Sequence, residues 1–82
     1  MSTKLYVGNL PWEFSNEKLM DTFKSHGNVI SAKVVTDRES GRSRGFGFVE
    51  MENENDANGA IKALNGSEIN GRKLVVSVAK TN

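Results

Sequence analysis

The sequence predicts an α+β sandwich in which two helices cover one face of a four-stranded antiparallel sheet. Apolar residues alternate with polar residues in four short segments, which is typical of strands. They recur every three or four positions in two further segments, which is typical of helices. These segments follow the order β-α-β-β-α-β along the 82 residues. A chain of this length supports one hydrophobic core, so we predict a single domain over residues 1–82, with its core at about 4–80.

The first strand is predicted over residues 4–10, with Tyr6 on the side of the sheet that faces away from the core. A helix follows, with Ser15 as its N-cap and Gly27 ending it in a left-handed αL position. Phe14, just before the cap, and Leu19, in the second turn, have the spacing of a hydrophobic staple. The inward positions are Leu5 and Val7 in the strand and Leu19 and Phe23 in the helix.

The second and third strands are predicted over residues 29–36 and 44–51, and a polar loop centred on Gly41 joins them. Phe46 and Phe48 lie two residues apart in the third strand, so both face away from the core. The inward positions are Ala32 and Val34 in the second strand and Gly47, Val49 and Met51 in the third.

The second helix is predicted from about residue 55 to residue 64, where the Asn-Gly pair at 65–66 ends it. A further Asn-Gly pair at 70–71 is typical of a tight hairpin turn and precedes a fourth strand over residues 73–80. The inward positions are Ala57, Ala60, Ile61 and Leu64 in the helix and Leu74, Val76 and Val78 in the strand.

Right-handed crossovers in both β-α-β units place the two helices on one face of the sheet and make the first and third strands central neighbours. This arrangement is a ferredoxin-like fold. The other face of the sheet has no helix to cover it. Tyr6, Phe46 and Phe48 are therefore predicted to form an aromatic patch on the uncovered face, although exposed aromatic rings forgo burial.

Aromatic rings beside cations are suited to binding a single-stranded nucleic acid, because unpaired bases stack on the rings while the cations engage phosphates. Arg44 and Lys4 are predicted on the aromatic face, and Arg42 lies close by in the loop. Further candidate contacts lie at outward positions of the edge strands and at the end of the fourth strand: Lys33, Val35, Val75, Ser77, Ala79 and Lys80.

Residues 44–51 (RGFGFVEM) resemble the RNP1 octapeptide of the RNA recognition motif family. They depart from its pattern only at the inward-facing Met51, where an aromatic is usual, so the departure concerns packing. Residues 5–10 (LYVGNL) are similar to the RNP2 hexapeptide, and the resemblance runs from about residue 4 to residue 80. Within the family, the chain is similar to small single-domain RNA-binding proteins of bacteria, especially cyanobacteria. The resemblance implies that Tyr6 and Phe48 each stack on a base, that Phe46 inserts between sugars and that Arg44 bridges to a phosphate.

The formal net charge is only +1, but cations fall mainly in the predicted strands and their connecting loops, and carboxylates mainly in or beside the helices. This asymmetry favours a polyanionic partner on one side. The chain contains no cysteine, which excludes disulfides and thiol catalysis, and no apolar run of the roughly 20 residues that span a membrane. Its N-terminus lacks the features of a signal peptide. We therefore expect a cytoplasmic monomer that binds single-stranded RNA, with single-stranded DNA left open, and that uses no cofactor or metal.

Two alternatives remain beside RNA binding. The same fold can serve as a protein-interaction module, although relatives that do so often lack the aromatic residues retained here. A phosphatase on this scaffold would need an arginine in the loop after the first strand, and residues 8–13 contain none, so we predict no enzymatic activity. Trp12 in that loop is expected to pack over the segment before the first helix rather than to stack on RNA.

Overall fold

The computed structural model describes residues 2–79. Its elements are β1 (Thr3–Gly8), α1 (Asn16–Lys24), β2 (Val29–Thr36), β3 (Ser43–Met51), α2 (Glu54–Leu64), β4 (Glu68–Ile69), β5 (Arg72–Lys73) and β6 (Val75–Val78). Strands β2, β3, β1 and β6 lie side by side in that order in an antiparallel sheet, and β4 and β5 form a separate hairpin. The predicted ferredoxin-like α+β fold is confirmed, with β1 and β3 as the central strands.

The hydrophobic core lies between the two helices and the inward face of the sheet. Fully burying an aliphatic side chain of this kind stabilises the folded state by about 1.5–3 kcal/mol. The largest fully buried side chains are Phe23, Leu5, Leu10, Leu19, Met51, Leu74, Val7, Val49 and Val76. Together with the smaller buried residues Val34, Ala57 and Ala60, they include most of the predicted inward positions, so the opposite face of the sheet is the one left uncovered.

Helix α1 begins as the sequence predicts. The Ser15 hydroxyl accepts a hydrogen bond from the backbone N–H of Lys18 at 3.1 Å, and both staple residues, Phe14 and Leu19, are buried. Its end differs from the prediction. The helix stops at Lys24, and Gly27 has φ +150° rather than the αL value near +57°.

Gly27 is instead required by the approach of α2. A Cβ at this position would lie 2.5 Å from the Cβ of Asp56, a distance that real Cβ atoms do not reach. The prediction of an αL cap is therefore wrong, and the close approach of Asp56 in α2, rather than local capping, explains why residue 27 has no side chain.

The fourth predicted strand is divided in two. Asn70 and Gly71 have φ of +52° and +79°, as a two-residue hairpin turn requires, and they join β4 to β5. Leu74 does not pair with β1, because its backbone groups are used elsewhere. Its N–H donates to the Ser67 carbonyl, and its carbonyl accepts from the N–H of Gly66. The pairing with β1 therefore begins only at Val75.

Val78 is the one predicted inward position of β6 that is not buried. It pairs with Leu5 and so shares the helix side of the sheet, but 51% of its surface is exposed. Val78 ends an edge strand, where the helices no longer cover it. Within residues 2–79, no helix is long and apolar enough to cross a bilayer.

Candidate nucleic-acid interface

Three aromatic side chains meet on the uncovered face of the sheet. The ring centroids of Tyr6, Phe46 and Phe48, hereafter the ring cluster, lie 5.9–6.1 Å from one another. Tyr6 and Phe46 are inclined by 32°, and Phe48 meets both rings edge-on. All three are half-buried against the sheet, so each keeps part of its surface open to solvent. The prediction that these rings lie together outside the helix-covered core is confirmed.

The sheet register explains why the rings meet. Tyr6 pairs with Phe48 across β1 and β3, and Gly8 pairs with Phe46. The Tyr6 ring leans along β1 over Gly8, where a Cβ would lie 2.7 Å from the phenolic oxygen. The absence of a side chain at Gly8 thus gives the Tyr6 ring room to approach Phe46.

Lys4 belongs to the ring cluster's immediate surroundings, as predicted. Its Nζ lies 5.0 Å from the centroid of the Phe48 ring, within the range of a cation–π contact. Lys4 also pairs with Glu50 across the strands, and the Ser2 hydroxyl donates to the Glu50 carboxylate. The face therefore carries a carboxylate beside its cation, as the outward position of Glu50 in β3 predicts.

The candidate residues on the edge strands divide by position. Residues of four strands form one row across the sheet: Lys33, Phe48, Tyr6 and Ser77. Lys33 and Ser77 are exposed at either side of the two rings. Ala79 is held differently, because its N–H donates to the Lys4 carbonyl at 2.9 Å and so is already engaged within the sheet. The predicted contact at Lys80 lies outside the described residues.

Arg44 is exposed at the start of β3, but strand alternation does not fix its direction. Gly45, between Arg44 and Phe46, has φ +86°, and the register between β2 and β3 shifts beyond Val34. The local bulge breaks the period of two on which the prediction for Arg44 depended. Arg44 lies beside the β2–β3 loop and close enough to Asp37 to act on its charge.

The β2–β3 loop, residues 37–42, is closed by its own hydrogen bonds. The Asp37 N–H donates to the Arg42 carbonyl, and the Gly41 N–H donates to the Asp37 carbonyl, both at 2.8 Å. The Asp37 carboxylate accepts from the backbone N–H groups of Glu39 and Ser40, and these bonds, with a smaller contribution from Arg44, lower its pKa below the usual 3.8. Arg42 is exposed on this loop.

Trp12 does not pack as predicted. It is 61% exposed, and the guanidinium carbon of Arg72, from β5, lies 5.5 Å from the centre of its ring. The prediction failed because the sequence does not reveal that the β4–β5 hairpin lies beside the β1–α1 loop. Among residues 2–79, no three or more His, Cys, Asp or Glu side chains are arranged to hold a metal ion.

The fold and the ring cluster together define a sheet-face binding domain, and comparison with known proteins identifies its class. Residues 5–75 match the model of the RNA recognition motif family. The chain belongs to this family, as the two motif-like segments predicted.

Several similar curated proteins are named as chloroplastic or mitochondrial proteins of plants. The chain is 54% identical over 77 residues to the chloroplastic RNA-binding protein CP31B of Arabidopsis thaliana, covering 94% of this chain and 27% of that protein. It is 53% identical to a chloroplastic 28 kDa ribonucleoprotein of Spinacia oleracea, over 96% of this chain and 34% of that protein. It is 51% identical to the mitochondrial glycine-rich RNA-binding protein 4 of Arabidopsis thaliana, over 96% of this chain and 58% of that protein. The chain thus spans between about a quarter and three fifths of these relatives.

Solved structures are similar over nearly the whole chain. The crystal structure of RNA binding protein PG1 has a TM-score of 0.93 and 52% identity, covering 98% of this chain and 96% of that one. The Rna15 RNA recognition motif with bound RNA (GU) has a TM-score of 0.86 and 28% identity, covering 95% of this chain and 83% of that one.

The predicted cytoplasmic location is wrong. The relatives described above are chloroplastic or mitochondrial RNA-binding proteins. Amino-acid composition does not distinguish the cytoplasm from an organelle, because a chain without cysteine suits any reducing compartment. The resemblance to bacterial proteins stays a prediction.

Proposed function

We propose that this domain binds single-stranded RNA on the uncovered face of its sheet, as a non-enzymatic module. The observation that carries the proposal is the ring cluster: three partly exposed rings in mutual contact on the face opposite to the helices. Membership of the RNA recognition motif family and relatives named as RNA-binding proteins support it. We also propose that the chain forms a single domain and acts as a monomer.

Tyr6 and Phe48 each offer a ring on which a base stacks. Phe46, which follows Gly45 in β3, contacts the sugars. Base–aromatic stacking contributes about 1–3 kcal/mol per base. Two stacked bases together with phosphate contacts reach the range of micromolar affinity, about −8 kcal/mol. Arg44 and Lys4 supply cations beside the rings, and Lys33, Arg42 and Ser77 are exposed around them.

A titration of isotope-labelled protein with short RNA oligonucleotides tests the location of the site. Amide resonances of Tyr6, Phe46 and Phe48 should shift, while those of helix residues such as Asp21 and Lys62 should stay in place. Shifts confined to the helices would contradict the proposal and favour a protein-interaction surface. A parallel titration with single-stranded DNA of the same sequence measures the contribution of the 2′-hydroxyl groups.

Phe48→Ala should lower RNA affinity at least tenfold, because it removes one stacking ring and the edge-on support of the other two. Val78→Ala is the matched control, since Val78 is an exposed apolar residue of the same sheet but lies on the helix side. Equilibrium binding by fluorescence anisotropy measures both variants, with amide spectra to verify the fold. Equal affinity of Phe48→Ala and the wild type would rule out stacking at Phe48.

A further inference from the structure

A further exposed aromatic residue lies outside the ring cluster, in the loop between β1 and α1. Trp12 in the β1–α1 loop is 61% exposed, and Arg72 covers one face of its ring at 5.5 Å. A large apolar ring left open to solvent forgoes the burial that it would gain in the core. Arg72 lies over the ring, and the 61% exposure keeps the indole at the surface.

Three side-chain hydrogen bonds fix the loop that carries Trp12 to the β4–β5 hairpin. The Asn9 amide donates to the Lys73 carbonyl at 2.8 Å, and Arg72 Nη1 donates to Asn9 Oδ1 at 3.0 Å. The Asn70 amide donates to Glu13 Oε1 at 2.9 Å. Asn9 itself has φ +58°, so the chain turns sharply after β1. The indole is thus presented by a connected structure rather than by a free loop.

This region continues the sheet face that carries the ring cluster. Gly8 pairs with Phe46 on one side and with Val75 on the other, and Val75 is 48% exposed. Asn9 follows Gly8 directly and bonds to Lys73, two residues before Val75. A strand of nucleic acid that leaves Phe46 across Gly8 and Val75 is therefore directed toward the hairpin to which the Trp12 loop is bonded.

We propose that Trp12 forms an additional nucleotide subsite, in which a base of the RNA strand stacks on the ring face that Arg72 leaves open. This inference rests on the proposed function, because the strand is held first by the ring cluster. Arg72 acts as a positioning residue: it holds the indole from behind through the cation–π contact and is itself held by Asn9. Aromatic stacking accepts any base, so the subsite extends the length of RNA bound rather than its sequence preference.

Charges around Trp12 are balanced. Arg72 and Lys73 are accompanied by Glu13, which accepts from Asn70, and by Glu68, which pairs with Lys73 across the hairpin. Binding at Trp12 should therefore depend on stacking more than on counterion release. Loss of this ring should weaken binding without changing the salt dependence, unlike loss of a cation that binds a phosphate.

Trp12 is the only tryptophan in the chain, so its fluorescence reports on this subsite alone. Wild type, Trp12→Ala and Trp12→Phe are titrated with uridine oligonucleotides from three to eight nucleotides long. The wild-type tryptophan signal should be quenched by the long oligonucleotides and little affected by the shortest ones. Trp12→Ala should lose about fivefold or more in affinity for the long oligonucleotides and match the wild type with the short ones. Trp12→Phe, which keeps a ring, should retain most of the affinity.

The outcomes separate this inference from the proposed function. If the amides of Tyr6 and Phe48 shift with RNA while tryptophan fluorescence stays constant and Trp12→Ala binds all lengths like the wild type, the subsite is refuted and the ring-cluster proposal stands. If no oligonucleotide shifts either set of signals, both proposals are overturned. Amide spectra of each variant check that the exposed substitution leaves the fold unchanged.

Discussion

Gly8 and Gly47 lie next to each other along the paired central strands but face opposite sides of the sheet. A Cβ on Gly47 would lie 2.5 Å from the Lys33 carbonyl oxygen and 3.1 Å from Leu19 Cδ2, so it would press on backbone and on α1. A Cβ on Gly8 would meet only the outer end of the Tyr6 ring. The ring can move, whereas the backbone of β2 cannot without breaking its ladder.

Gly47→Ala should therefore destabilise the fold by about 1–3 kcal/mol, as overpacking of a core does. Gly8→Ala should cost less stability but displace the Tyr6 ring and weaken RNA binding. Urea denaturation measures the first effect and oligonucleotide titration the second. Equal losses of stability in the two variants would contradict the assignment of the two glycines to different faces.

In the free protein, the Lys4 side chain already occupies part of the ring cluster's surface. Its ammonium group lies over the Phe48 ring, a contact worth about 0.5–1 kcal/mol at an exposed site. A base that stacks on Phe48 from that side has to displace Lys4. The displaced cation then lies next to the incoming strand, so the cost of losing the contact is offset by a phosphate interaction.

Among the elements, the β2–β3 loop has a protonation state that can be followed directly. The backbone N–H groups of Glu39 and Ser40 bind the ionised Asp37 carboxylate, which lowers its pKa below 3.8. Because the folded-state pKa lies below the unfolded one, Asp37 stabilises the closed loop fully above pH 3.8. This contribution is lost as the pH falls through the lowered value.

The side-chain carboxyl resonance of Asp37 should accordingly titrate below pH 3.8, and the amide signals of Glu39 and Ser40 should follow the same curve. Asp37→Asn keeps an acceptor oxygen but removes the charge, so it should abolish this titration while leaving the loop closed at neutral pH. Asp37→Ala removes both. A normal pKa for Asp37 would show that the carboxylate does not hold the loop.

The elements also show how far sequence reasoning reaches. Alternation and capping predicted β1, β3, α1 and the ring cluster, because each depends on short-range periodicity and on which face is buried. Alternation does not fix the direction of Arg44, because the positive φ of Gly45 interrupts the strand, and no local pattern reveals that the neighbour of Trp12 is Arg72, 60 residues away in the chain. Contacts between distant loops leave no local period in the sequence.

At the scale of the whole molecule, the sheet separates stability from binding. Core side chains fill one face, and the ring cluster occupies the other, so substitutions in the ring cluster should have little effect on the core. The cations follow a similar division only in part. Lys4, Lys33 and Arg44 lie on or beside the binding face, yet α1 and α2 also carry lysines, among them the exposed Lys62.

This distribution makes the salt dependence of binding a test of which cations contact RNA. Replacing a phosphate-binding cation should make the slope of log affinity against log salt less steep by about 0.7, the value for one phosphate of a single strand. We expect this change for Arg44→Gln and no change for Lys62→Gln, although both variants lower the net charge equally. The comparison separates a local phosphate contact from the general attraction of a cationic protein, because general attraction would alter the two slopes alike. If the two variants had the same slope, Arg44 would have no phosphate contact, and the bulge at Gly45 would direct it away from the RNA.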